Sequence, residues 1–107
     1  MPIRAKKKNG MSLLSIDGDM TIYTAAALKE ELMKHIARPC EHEIDLSEVS
    51  DMDSAGLQLL ILAKREAVSR NMPLRLTGHS RAVMEVMDIC SMAAYFGDPI
   101  WESEGAR

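Results

Sequence analysis

Asp51-Met52-Asp53-Ser54-Ala55-Gly56-Leu57 is the stretch on which the fold turns. A short strand-like run, Glu43-Ile44-Asp45-Leu46, leads into it, and an apolar pattern of helical period leads out of it, from about residue 55 to about residue 70. One serine, Ser54, therefore stands where a strand gives way to a helix. Serine is a preferred N-cap, because its oxygen can accept a hydrogen bond from the free amides of the first turn. Asp51 and Asp53 precede it and favour the positive end of the helix dipole. Gly56 has no side chain, so its backbone is open to close approach by another molecule. Two readings follow. In the plain one the stretch is a well-capped helix start. In the sharper one Ser54 is a surface switch, where a phosphate would add roughly −1.5 to −2 charges.

The helix after Ser54 supports a second surface. Placed at about 100° per residue, Leu57, Leu60, Ile61, Ala67 and Val68 share one sector, the expected core face. Gln58, Arg65, Glu66 and Ser69 lie opposite. Leu62 falls inside that polar sector and Leu59 on its edge, which marks both as candidates for partner contact. Lys64 falls in the apolar sector and is expected to reach out to water at its edge.

Earlier in the chain, residues 1–10 carry Arg4, Lys6, Lys7 and Lys8 and read as a flexible basic tail, with the domain beginning at residue 11. Residues 11–16 and 20–23 read as two strands that form a hairpin or lie close together, with Asp17-Gly18-Asp19 as the turn. Thr24 is a candidate N-cap for a helix to about residue 37, whose Leu28, Leu32 and Ile36 share a face. Arg38-Pro39 ends it. Residues 43–46 form a strand between helices, expected to be central and largely parallel. Residues 47–52 are the loop that delivers Ser54. A fourth strand is expected at residues 74–77. Ser80 caps a third helix to about residue 89, with Val83, Val86, Met87 and Cys90 on its apolar face. A short last strand at residues 94–96 and a polar tail from about residue 98, which Trp101 tacks to the domain, complete the expectation.

Composition narrows the function. At 107 residues the chain holds one core, not two. Aromatics are 4% of it, so aliphatic residues and the nine methionines must fill that core. A net charge of −3 argues against general nucleic-acid binding. Cys40 and Cys90 make no disulfide framework, no signal-peptide pattern is seen, and no run approaches a membrane span, so the expected setting is cytoplasmic with free thiols. Phosphate-loop and dinucleotide fingerprints are absent. Cys40-x-His42 supplies only two of the ligands a zinc site needs, and His35 falls at the border of an apolar stripe as a half-buried residue. Neither a catalytic group, a cofactor nor a metal is expected.

Asp45-Leu46-Ser47 followed by Met52-Asp53-Ser54-Ala55-Gly56-Leu57 resembles the signature of the STAS domain of bacterial anti-sigma factor antagonists. Ile16-Asp17-Gly18-Asp19-Met20 with Tyr23-Thr24-Ala25 resembles the turn that opens toward the first helix of that family, except that Thr21 stands where the family has an aspartate. The resemblance implies a single α/β domain with a four- to five-stranded mixed sheet and helices packed on it. It implies phosphorylation of Ser54 by an anti-sigma factor with kinase activity, and reversal by a phosphatase. The partner-facing set expected is Asp19, Thr21, Asp51, Asp53, Ser54, Ala55, Gly56, Gln58, Leu59 and Leu62, on a monomer or weak dimer. The same family supplies the alternative: a non-enzymatic adaptor in a chemotaxis, stressosome or lipid-transport complex, where Ser54 is only a docking or packing residue.

Overall fold

Met11-Ser12-Leu13-Leu14-Ser15-Ile16 alternates in burial, with Ser12, Leu14 and Ile16 inward, which is the pattern of a strand covered on one face. The structure, a computed structural model, describes residues 3–89. That strand is β2 (Met11–Ile16), and it is flanked on both sides. On one side lies β1 (Ile3–Lys8), antiparallel, pairing Ile3 with Ile16 and Lys8 with Met11. Residues 3–8 are thus an edge strand of the domain and not a tail. Its inward anchor is the buried Ile3, and the basic side chains ride on the exposed edge.

The next short strand, β3 (Gly18–Met20), does not return beside β2. It pairs in parallel with β5 (Val49–Met52) in a separate two-stranded sheet, so the expected hairpin is replaced and the supposed loop at 47–52 contains a strand. After α1 (Ala25–Ile36) the chain crosses back to β4 (His42–Asp45), which lies parallel to β2; β6 (Leu74–Thr77) lies parallel to β4. The main sheet therefore has the order β1-β2-β4-β6, mixed and four-stranded, with β4 inside it. Helices α2 (Ser54–Ser69) and α3 (Arg81–Ile89) supply the remaining cover.

One apolar cluster joins these parts. Leu14, Ile16, Ile44 and Leu76 of the sheet pack with Leu28, Leu32 and Ile36 of α1, with Leu57, Leu60, Ala63 and Ala67 of α2, and with Val83 and Met87 of α3. At about 1.5–3 kcal/mol for each fully buried aliphatic side chain, this cluster fixes where the helices sit. Lys64 donates to the Leu74 carbonyl oxygen at 2.9 Å, so its charge leaves the apolar sector as expected. Two positions on α2 differ from the wheel. Leu59 is buried, and Val68 is exposed. The helix is covered on two flanks, by α1 and by the sheet, so its buried arc is rotated and wider than a single-face reading allows. In α3 the Ser80 hydroxyl accepts from Val83 N at 3.3 Å, the expected cap. Cys90, the strand at 94–96 and the tail with Trp101 lie outside the described residues.

Candidate partner-binding site at the start of the second helix

Asp53, not Ser54, caps α2. Its backbone is extended (φ −126°, ψ −170°), and its Oδ1 accepts from Ala55 N at 2.8 Å and from Gly56 N at 3.3 Å. The Asp53 carbonyl oxygen accepts from Leu57 N at 3.2 Å. The other carboxylate oxygen, Oδ2, accepts from Ile22 N at 3.0 Å, and Asp53 N donates back to the Met20 carbonyl at 3.3 Å. The Ile22 amide is the foremost reason that the Asp53 carboxyl is held below its usual range; burial opposes the shift, and the Gly56 and Ala55 amides add to it. Asp53 therefore stitches the start of α2 to the end of β3 through its amide and to the turn after β3 through its carboxylate.

Relieved of capping, Ser54 is the first helical residue and is exposed. Gly56 has a different role from the one its missing side chain suggested. It is buried, and a Cβ there would run into the Met20 carbonyl oxygen and lie 2.9 Å from Met20 Cβ. The close approach is made by the protein's own β3, not by another molecule.

The remaining expected site residues fall into three groups. Asp19 and Asp51 are exposed and paired across β3 and β5. Asp19 Oδ1 accepts the Ser50 hydroxyl at 3.0 Å, and Asp51 Oδ1 accepts Met52 N at 2.9 Å. Thr21 is buried and belongs to the turn itself: its amide donates to Thr24 Oγ1 at 3.0 Å, and its own hydroxyl oxygen accepts from Tyr23 N at 3.3 Å. Thr24 stands at the N-cap of α1 but does not cap it with its side chain; its hydroxyl donates to the Asp19 carbonyl at 2.9 Å. Ala55, Gln58, Leu59 and Leu62 come together with Ala25, Ala26 and Lys29 of α1 around a largely apolar groove of about 210 Å³. Gln58 is exposed, Leu62 half-buried, and Leu59 forms the groove's floor at 4% exposure.

Two residues absent from the expected set dominate this surface. Ile22 is 69% exposed and Tyr23 93%, side by side in the turn that Asp53 fastens. Reading residues 20–23 as a strand hid them. The signal that marks them is an Ile-Tyr pair between a Gly-Asp turn and a helix cap, where neither side chain has a sheet face to enter.

Among the described residues there is no cluster of three or more His, Cys, Asp and Glu side chains that could hold a metal ion. His42 is buried, its Nε2 is 3.2 Å from the Arg38 carbonyl, and burial lowers its pKa. No helix among those residues is long and apolar enough to cross a membrane.

A mixed four-stranded sheet, with helices joined to it through one core and an exposed serine at the start of α2, defines a small α/β domain. A family model described as Mlab, STAS domain matches residues 3–96, and the chain belongs to the STAS domain family. The match begins within β1, in agreement with the strand found there. The anti-sigma-F factor antagonist RsfB of Mycobacterium tuberculosis is 43% identical over 53 residues, which are 49% of this chain and 43% of the relative's length. An anti-sigma factor antagonist from Mycobacterium paratuberculosis has the same fold, with a TM-score of 0.80 at 21% identity over 94% of this chain and 87% of that one. Unphosphorylated SpoIIAA, an anti-sigma factor antagonist, also shares it, with a TM-score of 0.71 at 15% identity over 94% of this chain and 90% of that one.

Proposed function

We propose that this chain is a non-enzymatic anti-sigma factor antagonist: it binds an anti-sigma factor through the start of α2 and is released by phosphorylation of Ser54. The observation that carries the reading is that Asp53 takes over the cap and leaves the Ser54 hydroxyl exposed at the surface. Resemblance to RsfB supports the class of partner.

The electrostatics support a switch that acts on the interface and not on the fold. A phosphate on Ser54 gains from the helix dipole. The nearest amides are already taken, however: Ala55 N and Gly56 N by the Asp53 carboxylate, and Leu57 N by the Asp53 carbonyl. The ionised Asp53 stands beside the new dianion and repels it. The phosphate is therefore left facing water or a partner, and a partner that must desolvate it dissociates. Kinase activity in the anti-sigma factor and a separate phosphatase complete the cycle under this reading, in a cytoplasmic setting.

A second reading, an adaptor in another complex that is never phosphorylated, keeps the same surface. It is favoured by the acidic side chains of Asp19, Asp51 and Asp53, which all lie near the serine in sequence or across the strand pair and disfavour a further negative charge.

Wild type, Ser54→Ala and Ser54→Asp used as baits separate the two, with phosphosite mass spectrometry on the wild-type protein. The switch predicts a kinase-like partner held by wild type and Ser54→Ala, lost by Ser54→Asp, with phosphate at Ser54. One partner held equally by all three baits, with no phosphate, overturns it in favour of the adaptor.

A further inference from the structure

β1 is an edge strand, and among the described residues no strand pairs with its outer edge. Asn9 and Gly10 both sit at positive φ (52° and 79°) and close the β1–β2 hairpin as a two-residue turn. Such a turn closes on a hydrogen-bonded pair, here Lys8 with Met11, and bonded and non-bonded pairs alternate from there. Arg4, Lys6 and Lys8 therefore turn their backbone groups toward β2, while Ala5 and Lys7 turn theirs outward. Ser12 agrees with this phase: it stands opposite Lys7, and its amide points away from β1, to the Glu41 carbonyl at 2.8 Å. Residues 4–8 are all exposed.

The side chains along this edge carry one sign of charge. Arg4, Lys6, Lys7 and Lys8 precede the first carboxylate of the sequence, Asp17, although the net charge is −3. Arg4, Lys6 and Lys8 form a basic column on one face of the sheet, in register with Ser15, Leu13 and Met11. Among the described residues none of the four cations is in an ion pair. The carboxylates of the same face on β4 are engaged elsewhere: Glu43 by Arg75 at 3.1 Å and by the Thr77 hydroxyl at 2.9 Å, and Asp45 by the Ser47 amide at 2.9 Å.

We propose that the outer edge of β1 is a docking site for an extended acidic segment of a partner protein, which joins the sheet as a further strand. Its backbone bonds to Ala5 and Lys7 and supplies affinity, and Asp or Glu at every second position lies beside Arg4, Lys6 and Lys8 and supplies selectivity. Two other occupants suit the edge less well. A second β1 would set cation against cation, and lysines on an edge strand keep like copies apart. An anionic membrane would meet the charge but leave the outward amides and carbonyls unused, and the net charge of −3 opposes it. The site shares no residue with the start of α2, so it does not rest on a switch at Ser54.

The probe is a fluorescein-labelled, end-capped peptide of about eight residues that alternates valine with glutamate, long enough to span β1. A second peptide is N-methylated at its valines, which keeps the charge and removes the ladder. Anisotropy titrations use the full chain, as wild type and with Arg4→Glu and Lys6→Glu together; Lys8→Glu serves if circular dichroism shows that the pair does not fold. Amide exchange at Ala5 and Lys7 is read by NMR. The expected result is binding of the valine–glutamate peptide with new protection at both amides, at least about 10-fold weaker binding to the charge-reversed variant, and none by the N-methylated peptide. No binding to the wild type overturns the proposal, as does undiminished binding to a folded variant. Equal binding of the N-methylated peptide overturns it in favour of charge alone. Protection of Ala5 and Lys7 in the chain without peptide overturns it, because the edge is then already covered. Displacement of the peptide by vesicles of phosphatidylcholine and phosphatidylserine in equal parts overturns it in favour of a membrane.

Discussion

Asp53 Oδ2 and the Ile22 amide meet at 3.0 Å across 31 residues of chain. The contact joins the start of α2, where the proposed interface lies, to the turn that exposes Ile22 and Tyr23. Removing the carboxylate frees three amides at once: Ile22, Ala55 and Gly56. Asp53→Ala is expected to lower the thermal midpoint clearly, while Ser54→Ala, which removes no cap, shifts stability by at most about 0.5 kcal/mol. Urea or thermal unfolding of both variants decides it. Equal losses would return the cap to Ser54.

Gly56→Ala sets two effects against each other. Helix propensity favours alanine by about 1 kcal/mol. The contact sets a Cβ, which has no rotamer, against the Met20 backbone carbonyl oxygen, so neither side yields by a rotamer change. Overpacking of this kind costs roughly 1–3 kcal/mol and is expected to win. A stabilised Gly56→Ala protein would mean that β3 and α2 separate easily.

Ile22 and Tyr23 have almost no packing to lose. Ile22→Ser and Tyr23→Ser are expected to change stability by less than about 0.5 kcal/mol. If the turn is part of the interface, each weakens binding to the anti-sigma factor by about 10-fold or more, since exposed apolar anchors carry a disproportionate share of binding energy. Calorimetric titration with the purified partner measures this. Unchanged affinity in both variants would confine the interface to α2.

Much of this architecture is legible from period alone. Leu28, Leu32 and Ile36 place α1 and its buried face without help, and Ile44 and Leu46 announce the central strand. What was hidden has physical causes. β1 has little apolar alternation, because its outward positions are Arg4, Lys6 and Lys8 and its inward ones include Lys7 at an open edge. β5 buries only its two ends, Val49 and Met52, and so shows no period of two. The cap was displaced by one residue because Asp53 and Ser54 are both good caps; only the Ile22 amide, distant in sequence, decides between them. Leu59 was misplaced because a wheel assumes one buried face and α2 has two covered flanks.

Acid should destabilise the domain in two windows. Burial lowers the pKa of both His42 and His79 below 6.5, opposed at His42 by the Arg38 carbonyl. The unfolded chain then binds protons first, so stability is complete above pH 6.5 and falls as pH drops from there through the folded pKa values. Asp53 acts lower: its carboxyl is depressed below 3.8, and its contribution, present above that pH, is lost as pH falls through the depressed value. Urea midpoints between about pH 7.5 and about pH 5 test the first window. His42→Gln and His79→Gln together should flatten it, and an unchanged slope would place the titrating groups elsewhere.

Ile3→Ala tests whether the N-terminal residues belong to the folded unit. On a solvated basic tail the substitution would change nothing. In β1 the side chain is buried and its residue pairs with Ile16, itself fully enclosed. Truncating a buried isoleucine costs about 2–5 kcal/mol, and an edge position that can relax lies at the lower end. The expected loss is therefore about 2 kcal/mol, with faster amide exchange along β2, whose outer edge β1 covers. Lys7→Ala is the control: its side chain is exposed, and its loss should be nearly silent. If Ile3→Ala were as silent as Lys7→Ala, β1 would contribute register but no stability, and the basic column would have no fixed place beside Leu13.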